Sequence, residues 1–158
     1  MVPARRDDRR YRARGGLHRL EDRHRQDGAH HRHGEIRQRH FAAYDEAVAG
    51  LDGIDAVERD PRDTHAYHLY VVRVDAERAG ATRDEYQRAL AEENVGSSIH
   101  FLPVHRLTAY RGVAHGPLPV SERAGAEVLS LPLSPAHSDG DIRDAIEALR
   151  RVHERFKA

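Results

Sequence analysis

The sequence predicts an α+β domain: a small sheet of three or four strands with helices packed on it. Three observations carry this. From Ile36 to Leu51 apolar and aromatic residues recur at three- and four-residue steps, the spacing of one helical face. The run His65-Ala-Tyr-His-Leu-Tyr-Val-Val-Arg-Val74 alternates side to side and is rich in aromatic and β-branched residues, as a strand requires. Near the end, Ile142, Ala145, Ile146, Leu149, Val152 and Phe156 line one side of a helix whose other side carries Arg143, Asp144, Glu147 and Arg150. From residue 35 the order of elements reads α, β, α, β, α, β, α, with no internal repeat.

Each element has a local cause. In the first helix Ile36, His40, Phe41, Tyr44, Val48 and Leu51 form the buried stripe, and Gly50 with Asp52-Gly53 ends it. A loop around Pro61 leads to the 65–74 strand, expected to be central and covered on both faces. His68 on that strand reads as a packed histidine rather than a catalyst. Thr82-Arg-Asp-Glu85 is a capping box opening a helix with Tyr86, Ala89 and Leu90 inward, and Asn94 and Gly96 suit its left-handed end. A strand from about Ser97 to Phe101 follows. Arg111–Leu118 is a loop, and Ser121 is the candidate N-cap of a short helix. Leu129-Ser-Leu-Pro-Leu133 is a strand that Pro132 confines to an edge or an end. Ser138 with Asp141 caps the final helix.

At 158 residues the chain is long enough for one domain with its own core. It has no cysteine, which excludes disulfides and thiolate metal sites and makes a soluble, cytoplasmic protein the expectation. No apolar run is long enough to cross a bilayer. The net charge of zero conceals an uneven distribution, since residues 1–40 carry 12 Arg against 6 Asp and Glu. Lys157 is the only lysine.

Residues 1–34 have sparse apolar side chains and no period, so they are read as a disordered or weakly helical Arg/His-rich segment that buries too little surface to offset ordering entropy. A nucleic-acid arm is the competing reading. Interleaved acids and a single aromatic residue, Tyr11, speak against it. His30, His31 and His33 lack a carboxylate or cysteine at ligand spacing, so no metal is assigned to them.

The stretch that bears chemistry is Gly96–Tyr110, GSSIHFLPVHRLTAY. Its apolar run from Ile99 to Val104 is interrupted by Pro103 and bracketed by His100 and His105. A strand ending in a proline turn would hold two imidazoles at its mouth, where they can donate to a phosphate or hydroxyl or move a proton near neutral pH. Arg106 and Tyr110 complete the candidate group. There is no phosphate loop, GxGxxG, GxSxG or HExxH.

Taken in order, five pieces resemble the C-terminal part of the DegT/DnrJ/EryC1/StrS sugar-nucleotide aminotransferases. Phe41-Ala-Ala-Tyr-Asp-Glu-Ala-Val-Ala-Gly-Leu51 is similar to that family's inter-domain helix, and His65-Ala-Tyr-His-Leu-Tyr70 to the strand opening its small domain. His100-Phe-Leu-Pro-Val-His105 followed by Tyr110 resembles its His-aromatic-x-Pro-aliphatic-His segment. Leu118-Pro-Val-Ser-Glu-Arg123 and Leu129-Ser-Leu-Pro-Leu-Ser-Pro135 resemble its last two landmarks.

The resemblance implies the small domain of a fold-type I enzyme over residues 35–158. It also implies pyridoxal 5′-phosphate as the cofactor of the complete enzyme, a sugar nucleotide and glutamate as substrates, and a homodimer. His100, His105 and Tyr110 then become the expected substrate-binding residues. Phe101 stands where the family often has tyrosine, so no hydroxyl is available there. The lysine-bearing large domain is expected to be missing, and Lys157, at the tip, is no Schiff-base residue, so neither catalytic residues nor covalent cofactor binding are expected in this chain. Residues 1–38 lack the family's approach to the inter-domain helix, and a shifted reading frame or a misassigned start is the expectation there. The rival reading is a non-catalytic module that binds a partner through uncovered apolar faces.

Overall fold

The computed structural model describes residues 18–158, with side chains over residues 32–158. Five helices and three strands follow one another as α1 (His18–Val48), β1 (Ile54–Ala56), β2 (Tyr70–Val74), α2 (Ala76–Ala79), α3 (Arg83–Glu92), α4 (Pro119–Glu127), β3 (Val128–Leu131) and α5 (Asp139–Lys157). Two 3₁₀ turns, Val104–Arg106 and Thr108–Tyr110, lie between α3 and α4. The sheet is antiparallel in the order β1-β2-β3, with Ile54 opposite Val74 and Val72 opposite Leu129. The α+β class holds, with β2 in the centre.

The core forms where the alternation of β2 meets the helical stripes. Tyr70, Val72 and Val74 turn one way with Ile54, Leu129 and Leu131, and against them pack Phe41, Tyr44 and Val48 of α1, Tyr86 and Leu90 of α3, and Ile142, Leu149 and Val152 of α5. Tyr44 stacks on Tyr70 at 4.7 Å and donates its hydroxyl to Pro132 O at 2.9 Å. Burial of these phenols raises the pKa of both. The Thr82–Glu85 and Ser138–Asp141 capping boxes are both formed, and Asn94 takes a left-handed conformation after α3.

Several elements differ from the sequence expectation. Helix α1 runs from His18, so the backbone of residues 18–34, where composition predicts disorder or at most a weak helix, is continuous with the packed helix. Once the packed half near Phe41 is helical, each upstream residue adds a backbone hydrogen bond without paying again for nucleation. Residues 1–17 of that expectation lie outside the described residues.

The strand predicted over 65–74 begins only at Tyr70. Tyr67 has φ +49° and its N–H bonds His65 Nδ1 at 2.9 Å, a local turn that breaks the extended run. The 65–67 segment is held instead by edge contacts of His65 and Tyr67 with Phe41. The outer residues of β2, Val71 and Arg73, are only half-buried, so its second face is not fully covered. β1 was not anticipated, because three residues are too few to show alternation. Helix α4 starts at Pro119 with Leu118 as N-cap, and Ser121 lies inside its first turn. Proline at the first helical position has the right φ and no amide left unpaired, which sets the start there.

Candidate functional site

The segment after α3 is not a strand. Ser98 alone pairs with β3, exchanging bonds of 3.0 and 2.8 Å with Ser130. In that register the next bonded pair would be His100 with Val128. Val128 O is already taken by Nη1 of Arg83 at 2.9 Å, and this guanidinium is 7% exposed. Val128 N–H is also engaged, by Ala124 O at the end of α4, so both groups of Val128 have partners outside the ladder, and the chain turns outward at His100 rather than completing the expected 97–101 strand.

Beyond that point Pro103 packs on α4. A Cβ on Gly125 would meet Pro103 Cγ and Cδ at 2.5 Å, so only glycine permits the approach. Successive turn bonds, Arg106 N to Pro103 O and Tyr110 N to Leu107 O, both 2.9 Å, then wind the two 3₁₀ turns.

The three predicted residues end in two places. His100 Nδ1 lies 2.9 Å from Ser130 Oγ on β3, which fixes the ring and leaves Nε2 free for a ligand. His105 and Tyr110 sit around a separate concavity of about 340 Å³ beside α4, joined by His115, whose ring centre is 4.9 Å from that of His105. His105 is 12% exposed and its Nε2 lies 2.5 Å from Glu122 Oε1. Arg106 pairs with the other oxygen of the same carboxylate. Arg106 first, then His105, holds the Glu122 carboxyl below the usual carboxylate range.

Sequence reading did not find Arg83, His115, Glu122 or Ser130 as parts of this region. His115 carried a signal, as a third histidine fifteen residues after His100. The others carried none: Glu122 and Ser130 are joined to their histidines only through the fold.

Among the described residues the segment is also the most uncovered apolar part of the surface. Phe101 is 77% exposed and Val120 70%, and Leu102, Val104, Leu107, Tyr110, Val113 and Leu118 lie exposed between them. No carboxylate occurs from Phe101 to Val120.

The residues present do not fit covalent attachment of pyridoxal phosphate. Lys157 Nζ bonds Arg78 O at 2.8 Å and Asp52 Oδ2 at 3.2 Å, at the exposed end of α5 and away from every histidine of the candidate segment in sequence and in contacts. Among the described residues no cluster of His, Asp and Glu suits a metal ion, and no helix is long and apolar enough to cross a membrane.

Comparison with known proteins agrees with this architecture. SpsC, a spore coat polysaccharide biosynthesis protein of Bacillus subtilis (strain 168), is 40% identical over 141 residues, or 87% of this chain and 34% of SpsC. The aminotransferase TlmJ from Streptoalloteichus hindustanus superposes with a TM-score of 0.71 at 31% identity, over 80% of this chain and 33% of TlmJ. DesI, solved in the presence of its TDP-sugar product, gives 0.72 at 35% identity, over 78% of this chain and 32% of DesI. The chain thus spans about a third of the length of the curated relatives it matches. Residues 29–150, which include every element from the packed half of α1 to most of α5, match one family throughout. With its sheet order, its capped helices and its His-Phe-Leu-Pro-Val-His segment, this chain belongs to the DegT/DnrJ/EryC1/StrS aminotransferase family.

Proposed function

We infer that residues 35–158 are the C-terminal small domain of a pyridoxal-phosphate-dependent sugar-nucleotide aminotransferase. The complete enzyme would be a cytoplasmic homodimer moving an amino group from glutamate to a keto sugar nucleotide. The observation that carries this reading is that a single acid-free segment, 100–120, supplies His100, His105 and His115 along with the uncovered apolar side chains. The same segment holds the family's His-aromatic-x-Pro-aliphatic-His motif. DesI, a relative by fold, was solved with its TDP-sugar product, which supports a sugar nucleotide as the ligand class.

In this reading the cofactor, bound elsewhere in the complete enzyme, supplies the electron sink for amino transfer. This chain's residues bind and orient. His100, steadied by Ser130, offers Nε2 to a substrate hydroxyl or phosphate oxygen. His105, held by Glu122, and Tyr110 take a second part of the same substrate. The 158 residues alone should not transaminate, since Lys157 is engaged with Asp52 and Arg78. Incubation with pyridoxal phosphate should give no absorbance band that depends on Lys157, and such a band would overturn that part.

The direct test is a chimaera of DesI whose matching third is replaced by residues 29–158 of this chain. Turnover of DesI's own TDP-sugar is expected, with kcat/KM lowered at least roughly tenfold by His100→Ala, the cost of one lost charge-assisted or neutral hydrogen bond to substrate. A folded chimaera without turnover would refute the reading.

The exposure of Phe101 and Val120 favours a second reading, a non-catalytic module that binds a partner through this strip. Light scattering after size exclusion separates the two: a defined complex with no nucleotide dependence supports the second.

A further inference from the structure

We propose that Arg83, which lies outside the candidate segment and its concavity, is a positioning residue for His105: it fixes helix α4 by its carbonyl end, and α4 in turn fixes the Pro103–Arg106 turn. This role rests on the functional reading above for what His105 does, whereas its test reads side-chain positions.

Helix α4 has little else to hold it. None of its nine residues is buried, and a helix that short does not persist without packing. Its last turn carries no Lys, Arg or His to meet the carbonyls left free at a helix C-terminus. Arg83 supplies that cation from α3. Its Nη1 donates to Val128 O at 2.9 Å and its Nη2 to Gly125 O at 3.3 Å, while Nε donates to Asp84 Oδ1 at 2.6 Å. All three nitrogens are used, in the fork that only arginine presents. The base of the fork is rigid, because Arg83 opens α3 directly after the Thr82 cap, with Tyr86 and Leu90 of the same helix buried. The polar tie from β2 to α4, Arg73 to Glu127, is longer at 3.6 Å, and its arginine is half-exposed.

The candidate segment is anchored on that same helix at two points. Glu122 and Gly125 stand one turn apart on one face of α4. Glu122 takes His105 Nε2 at 2.5 Å and pairs with Arg106. Gly125 receives Pro103, whose Cγ and Cδ would lie 2.5 Å from an added Cβ. Arg83 bonds the carbonyl of this Gly125, so a shift of α4 moves both anchors of the Pro103–Arg106 turn together. His100 stands outside this chain of contacts, since Ser130, which fixes its ring, belongs to the sheet. The two imidazoles are thus placed by separate devices, one by β3 and the other by a helix held from α3.

The test is NMR on the complete 158-residue chain carrying Arg83→Lys or Arg83→Met. Lysine keeps the cation but cannot fork to two carbonyls, and methionine keeps the bulk but donates nothing. In both, the imidazole signals of His105 should move toward those of Glu122→Gln, further in Arg83→Met, while those of His100 stay. The Glu122 carboxyl, held low by Arg106 and then His105, should titrate closer to the ordinary carboxylate value in Arg83→Met. Adding Arg83→Met to Glu122→Gln should move His105 no further than Glu122→Gln alone does. A general loss of stability would not give that non-additivity. In the DesI chimaera, Arg83→Lys should raise KM for the TDP-sugar roughly two- to tenfold, the weight of one hydrogen bond, with kcat nearly unchanged. Unmoved His105 signals in both variants, or equal movement of His105 and His100, would overturn the assignment. Should Arg83→Met lose the dispersed signals of buried Tyr44 and Tyr70, Arg83→Lys decides, and the same loss in Arg83→Lys would make the residue a support of the core and overturn its positioning role. These outcomes leave the aminotransferase reading standing, because turnover by the chimaera without the Arg83 change tests it separately.

Discussion

Gly80→Ala should be among the most damaging single-methyl changes in this chain. Gly80 caps α2 with φ +82°, its N–H bonding Ala76 O at 3.1 Å. An alanine in that left-handed conformation costs about 1 kcal/mol by itself. The added Cβ would also stand 2.3 Å from Phe156 O and 3.1 Å from the Phe156 carbonyl carbon. Both are backbone atoms, so no side-chain rotation relieves the contact. The last turn of α5 must move, taking with it the packing of Phe156 on Tyr86 at 5.0 Å and the bond from Lys157 Nζ to Arg78 O. Overpacking of that kind costs about 1–3 kcal/mol. Together the loss should be roughly 3 kcal/mol. For a chain of this length that is a fall in Tm of roughly 6–12 °C. Gly96→Ala is the matched control, because a Cβ there meets nothing within 4 Å and its φ is not positive. It should be neutral or stabilising by up to about 1 kcal/mol. The assay is urea unfolding followed by circular dichroism, with the slope of free energy on urea unchanged in both variants. Equal midpoints for Gly80→Ala and the parent would refute the argument, since they would mean that α2 and the end of α5 do not meet as described.

Three further outcomes follow from named contacts. Leu149→Ala empties a fully buried core position and should cost about 2–5 kcal/mol, whereas Val113→Ala, on the exposed strip, should stay within about 0.5 kcal/mol, both read from urea midpoints. Burial first, then the charge of Lys157, lowers the pKa of His153 from its ordinary value, and its Nδ1 lies 2.8 Å from the Tyr86 hydroxyl. A group that resists protonation in the folded state destabilises the fold as pH falls from about 6.5, its unfolded value, through the lowered one. The urea midpoint of the parent should therefore drop on going from pH 7.5 to 5, and His153→Gln should show a smaller drop. Glu122 is depressed by Arg106 and His105, so its contribution is complete above the ordinary carboxylate value and is lost as pH falls through the lowered one. Acid titration should release His105 in that lower window, seen as loss of its distinct imidazole signal, and Glu122→Gln should weaken the hold of that ring at neutral pH.

What could be read from the amino-acid order was whatever is local and periodic. The α1 and α5 stripes, the two capping boxes, the left-handed Asn94 and the confinement of β3 by Pro132 each depend on residues within a turn or two of one another. The alternation around Tyr70, Val72 and Val74 likewise announces a strand, although coverage of both faces was expected and only the face of these three residues is fully buried. Local signals also misled where an extended run met a competing bond nearby. His65 turns the chain at Tyr67, and packing downstream carries α1 back through a stretch with no stripe of its own.

The partners across the fold were set by tertiary structure alone. Arg83 reaches Val128 O from another helix and stops the ladder before His100. Ser130 receives His100 from 30 residues away, and Glu122 receives His105 from 17. No spacing in the sequence encodes these distances, because each is fixed by how the sheet and α4 pack rather than by the chain between the residues. The motif therefore named the histidines, but the fold decided that they would separate, one on the edge of β3 and one beside α4. A single mouth with two imidazoles requires a continuous strand, and a buried guanidinium occupies the carbonyl that strand would need.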